Sequence, residues 1–161
     1  MSTSSIARAG LIVVAMCLPH GAVAAASSPF AAMAGTWSGS GTLTTTDGAQ
    51  ERLRCRAAYD VAGSGAALRL NLRCASESYN FDLAGNVEYR NGAISGSWSE
   101  ATRNASGTIS GQATGDHVDA AARGDNFSAN LSLTTRGGRQ SVSIRPQGTN
   151  VTGVSLALNR R

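Results

Sequence analysis

Lysine is absent from this chain. All fourteen basic residues among its 161 are arginine, which excludes a Lys-dependent phosphate loop, Schiff-base chemistry and a lysine general base. Histidine occurs twice, at His20 and His117, and proline three times. Aromatic residues make up 5% of the chain. No apolar run reaches the roughly 20 residues that a membrane-spanning helix needs; the longest, Ala9 to Leu18, is about half of that. No stretch shows apolar residues at helical spacing over a useful length, so helices are not expected to build the core.

The apolar run has a different use. Arg8 precedes it, and Pro19 and the small residues Ala22-Val23-Ala24-Ala25-Ala26 follow. This is the pattern of a secretory signal peptide over residues 1–26, cleaved after Ala24 or Ala26. Met16 stands before Cys17, where lipidation requires a small residue, so a lipoprotein is not expected. The remaining residues, 27–161, have the length of one domain and a net charge of +3. Two cysteines stay behind, Cys55 and Cys74, and a periplasmic or secreted location favours a disulfide between them.

What is present is alternation. Leu53, Cys55, Ala57, Tyr59 and Val61 alternate with polar residues, the turn Ala62-Gly63-Ser64-Gly65-Ala66 follows, and Leu68, Leu70, Leu72 and Cys74 alternate again. A hairpin folded about Ser64 and Gly65 opposes Val61 with Leu68, Tyr59 with Leu70, Ala57 with Leu72 and Cys55 with Cys74. It also sets Asp60 against Arg69 and Arg56 against Arg73 on the other face. Before it, Trp37, Gly39, Gly41 and Leu43 share a face, and the residues from Ser27 to Ala34 read as an irregular lead. After it, Tyr79, Phe81, Leu83, Gly85, Val87 and Tyr89 keep one parity. Asn91-Gly92 then turns the chain so that Tyr89 faces Ile94 and Gly85 faces Trp98, with the large ring expected to cover the glycine. Weaker alternation continues through Ile109, Val118, Phe127, Leu131 and Leu133. Gly137-Gly138 pairs Leu133 with Val142 and Leu131 with Ile144, and Val154, Leu156 and Leu158 end the series. The expectation is an all-β antiparallel up-and-down meander of about 8–10 strands closing into a small barrel, with a two-sheet β-sandwich as the alternative. Arg52, Arg54 and Arg56 facing outward argue against an outer-membrane barrel, whose outer face must be apolar.

Gly35-Thr36-Trp37 on the first strand of a small exported antiparallel barrel resembles the calycins, the lipocalins and avidins. The resemblance covers those three residues, and no second lipocalin motif or C-terminal helix accompanies it. It implies that Trp37 packs across one end of the barrel and hints at a binding function, and no ligand residue carries over. The Arg- and Ala-rich, Lys-free composition resembles that of small exported bacterial proteins.

Two sets of residues are candidates for function. Trp37, Tyr79, Phe81, Tyr89 and Trp98 carry inward parity among glycines, and would line a pocket for a small hydrophobic or amphipathic ligand or simply fill the interior. Arg52, Arg54, Arg56, Arg69 and Arg73 form an outward patch, offset by Asp60 alone, which would hold an anionic lipid or polysaccharide of the cell envelope or serve solubility. Nucleic acid is not expected, because no exposed aromatics interleave with the arginines. His117, flanked by Asp116 and Asp119, lies on the wet face, and the chain has no Gly-x-Ser-x-Gly elbow. The ten carboxylates are read as solvated, without an inward pair for acid/base work. The expectation is therefore a non-enzymatic exported binding protein with no catalytic residue, metal or cofactor.

Overall fold

The computed structural model describes residues 27–161; the expected signal peptide lies outside the described residues. Ten antiparallel strands close into one barrel: β1 (Gly35–Thr45), β2 (Gln50–Ala62), β3 (Ala67–Ala75), β4 (Asn80–Arg90), β5 (Ala93–Glu100), β6 (Ala105–Thr114), β7 (His117–Gly124), β8 (Ser128–Arg136), β9 (Arg139–Gln147) and β10 (Val151–Arg160). Each strand pairs with its neighbours in sequence, and β1 with β10 completes the circle through Gly39 opposite Leu158 and Gly41 opposite Leu156. The sandwich alternative is thereby excluded.

Turn chemistry and period set the register as expected. On β2 and β3, Cys55 faces Cys74, Tyr59 faces Leu70 and Arg56 faces Arg73. Asn91 and Gly92 take the left-handed conformation that a tight hairpin needs, and Tyr89 faces Ile94 beyond them. Leu133 faces Val142. Cys55 and Cys74 form a disulfide across the central hairpin.

Every second residue points inward, so Leu43, Leu53, Leu156 and Leu158 are buried while Ser, Thr, Asn and Arg cover the outside. That is the reverse of a transmembrane barrel, which is apolar outside and polar within. Among the described residues no helix is long and apolar enough to cross a membrane.

One end of the barrel is filled. The lead before β1 is ordered: Ser28 caps a 3-10 turn, Pro29–Met33, its hydroxyl accepting from the Phe30 amide at 3.2 Å. Phe30 and Met33 enter the barrel end and are buried. The Trp37 indole donates to the Met33 carbonyl at 2.7 Å, and Phe30 meets Tyr89 edge-on at 6.1 Å. Arg160 lies over the Trp37 ring, 4.7 Å from its centroid, and donates to the carbonyls of Ala32 and Ala34. Beneath, Tyr59 donates to Gln140 at 2.7 Å, and Gln140 donates to the Thr135 hydroxyl at 3.1 Å. Burial pushes the Tyr59 phenol well above its ordinary pKa, against a smaller opposing pull from Gln140, so it stays a neutral donor.

Candidate functional site

The opposite end of the barrel is open. A cavity of about 290 Å³ runs inward from it, walled by Leu53, Leu72, Phe81, Leu83, Trp98 and Phe127, with Glu100, Arg103 and Asn150 at the mouth. Inward parity on β2 to β5 supplies five of the six wall side chains and Glu100, and the turns joining β5 to β6 and β9 to β10 supply Arg103 and Asn150.

Trp98 owes its position to glycine. The register sets it opposite Gly85 on one side and Gly107 on the other. The ring does not cover Gly85, as its parity suggested, but turns towards β6 and β7. A Cβ at Gly107 would stand 2.9 Å from the indole nitrogen, and one at Gly124 would stand 3.1 Å from the ring carbons. From there the indole donates to the Arg123 carbonyl at 3.3 Å and meets Phe127 edge-on at 5.4 Å.

The mouth is built around Glu100. Its place at the end of β5, in the same parity as Ile94, Gly96 and Trp98, turns it inward, where it is 6% exposed. The reading of all ten carboxylates as solvated is therefore corrected. Burial alone would raise the Glu100 pKa, but hydrogen bonds from the amides of Asp82, Thr102 and Arg103 and from the Thr102 hydroxyl outweigh it and hold the carboxyl below its ordinary value. Glu100 is an ionised turn cap. Arg103 pairs with it at 3.4 Å and spreads over the Phe81 ring at 4.9 Å, making part of the cavity rim. Tyr79 sits in the turn before β4 rather than on it, stacked on Phe81 with ring centroids 6.3 Å apart, and its hydroxyl accepts from the Asn150 amide at 2.7 Å.

The five aromatic candidates thus divide between the two ends. Phe81 and Trp98 line the cavity and Tyr79 supports its lip, while Trp37 and Tyr89 belong to the filled end. Phe127, Ile144, Glu100 and Arg103 join the cavity without having been singled out; parity would have found the first three, but not Arg103, which lies in a turn.

The arginine candidates lie outside the barrel. Arg52, Arg54 and Arg56 stand along β2 and Arg69 and Arg73 along β3, all exposed. Arg73 pairs with Asp82 on β4 at 3.2 Å, a partner the two-strand reading missed because the acid comes from the next hairpin. Asp60 faces Arg69 in register, yet the two form no ion pair among the described residues, as solvated surface charges often do not.

His117 opens β7 on the outer side. Its Nδ1 meets the Thr134 hydroxyl at 2.9 Å, and its Nε2 faces both Ser132 at 3.3 Å and Asp119 at 3.1 Å. The two ring nitrogens thus lie between a hydroxyl at Nδ1 and a carboxylate at Nε2, on the outer face of the barrel and away from the cavity.

No protein-family model matches the chain, and no curated protein sequence matches it. Solved structures do. Rv2717c from M. tuberculosis superposes with a TM-score of 0.64 at 12% identity, covering 81% of this chain and 93% of that one. The S-type phycobiliprotein lyase CPES from Guillardia theta gives 0.59 at 11% identity, covering 82% and 89%. The second corrects the expectation of a non-enzyme: a barrel of this architecture is a lyase, and a missing hydrolase elbow says nothing about other chemistries a barrel can hold. At these identities the likeness concerns the backbone alone, and what it shows is a ten-stranded antiparallel barrel of the calycin-like kind.

Proposed function

We propose that the protein binds a small hydrophobic or amphipathic molecule in the open-ended cavity, with the apolar part among Leu83, Trp98 and Phe127 and any polar head at Arg103 and Asn150. The observation that carries the reading is the asymmetry of the barrel. Phe30, Met33 and Trp37 fill one end, while the other keeps a cavity of about 290 Å³ with an almost wholly apolar wall. Such a space holds on the order of ten water-sized groups, and apolar cavities of this kind favour apolar guests over water. Export to the periplasm or beyond belongs to the same reading, and the Cys55–Cys74 disulfide supports it.

Native mass spectrometry of the purified protein, with a titration of medium-chain alcohols followed by Trp98 fluorescence, tests the proposal. A retained or saturably bound apolar mass is expected. Leu83→Trp fills the cavity without removing a wall and should weaken binding at least tenfold while the melting temperature stays within a few degrees. If the wild type binds none of these molecules, or Leu83→Trp binds them equally well, the cavity is not the site.

A further inference from the structure

A second concave surface lies on the outside of the barrel, across β1, β2 and β3, separated from the cavity by the thickness of the sheet. Its floor is made of small side chains: Ser38 and Ser40 from β1, Ala58 from β2 and Ala75 from β3. Arginines make its walls. Arg52, Arg54 and Arg56 recur at every second position of β2, about 7 Å apart along the strand. Arg73 stands beside Arg56 in the ladder, and Arg161 reaches in from beyond the end of β10.

The way these guanidinium groups are held is informative. Arg52 donates to the Ser40 hydroxyl at 3.4 Å and Arg161 to the Ser38 hydroxyl. Both acceptors are neutral: they aim the group and leave its charge intact. Asp82, paired with Arg73, is the only acidic side chain among the described residues that line the groove. Arg56 and Arg73 face each other directly, a like-charge pair that costs stability in the free protein. An anion lying between them relieves that repulsion.

The shape and chemistry of the surface select among anionic partners. A flat anionic bilayer would meet a hollow, and the outward positions of β1 to β3 offer no aromatic or large aliphatic side chain to enter it. Single-stranded nucleic acid binds by stacking its bases on aromatic rings; the outward positions carry none, and the two rings that border the groove are already covered, Trp37 by Arg160 and Phe81 by Arg103. An extended sugar chain with a carboxylate on each unit needs neither. It needs a ladder of forked donors at regular spacing over a floor small enough to let the chain approach, and arginine matches a carboxylate two bonds at a time. We propose that this groove binds an acidic polysaccharide, its successive carboxylates held by Arg52, Arg54, Arg56 and Arg73.

The inference is independent of the cavity. Its test is the binding of the purified protein to polygalacturonate across a salt series, with neutral dextran, phosphatidylglycerol vesicles and oligo-dT as comparison probes. Saturable binding to polygalacturonate is expected, with log K falling against log salt at a slope of roughly −2 to −3, as for three or four charges neutralised on a flexible chain. Arg54→Gln with Arg56→Gln should lower the affinity more than tenfold and flatten the slope by roughly one. Arg123→Gln with Arg145→Gln, which removes as much charge from β7 and β9 on another part of the barrel, should change it less than twofold, and Leu83→Trp should leave it unchanged. No binding, equal loss in both double variants, or tighter binding to the vesicles or oligo-dT that depends on Arg54 and Arg56 would each overturn the proposal.

Discussion

At the scale of single residues, the open end depends on two side chains whose surroundings can be tested separately. Gly107 is extended backbone, yet a Cβ there would come within 1.7 Å of the Arg123 carbonyl and 2.9 Å of the Trp98 indole nitrogen. Gly107→Ala should therefore destabilise the fold by about 2 kcal/mol or more, read as a lower denaturant midpoint, and should perturb Trp98 fluorescence. Glu100 acts through charge. Its pKa is depressed in the folded chain, so its stabilisation is complete above its ordinary value of 4.5 and is lost as the pH falls below that through the folded pKa. Glu100→Ala should cost about 2 kcal/mol at neutral pH, and less as the medium becomes acid; equal cost at pH 7 and pH 3 would refute the assignment. The alternation Ile94, Gly96, Trp98 already pointed Glu100 inward, and only the habit of placing acids in water hid it. Arg103 left no such trace, because a turn residue has no period, and the direction of the Trp98 ring depends on space at Gly124, distant in sequence and joined only through β6.

Among the elements, the β2–β3 hairpin is the most constrained. The disulfide closes a loop of 19 residues' separation within it, and in the chain-entropy account such a loop stabilises by about 3 kcal/mol. Replacing both cysteines by alanine should lower the melting temperature by several degrees and leave the far-ultraviolet spectrum of the folded barrel unchanged; a matching melt would show that the crosslink contributes little. Hairpins were the legible part of this fold because each is local: a turn such as Asn91-Gly92 fixes the midpoint, and period two then fixes every pair. The Pro29–Met33 turn was not legible. Five residues are too few to display a period, and what orders Phe30 and Met33 is the barrel end they enter, made by strands elsewhere in the chain.

For the whole molecule, the strand count and alternation suggested a closed sheet without proving it, since the same ten segments could have divided into two layers. The pairing of β1 with β10 decides the matter, and it joins residues more than a hundred positions apart. The division of labour between the two ends followed only from that closure. Parity placed five aromatic rings inside but could not say at what height, so Trp37 and Tyr89 were grouped with Phe81 and Trp98 although the barrel's length separates them.

The seam between the first and last strands carries a consequence for how the chain comes to its final shape. Nine of its ten ladders can zip as soon as adjacent hairpins exist, whereas the tenth waits for Val151–Arg160 and must bring distant ends together at a larger entropic cost. Until those last ten residues are in place, β1 and β9 each expose a bare row of amides and carbonyls, inviting another half-finished copy to dock there.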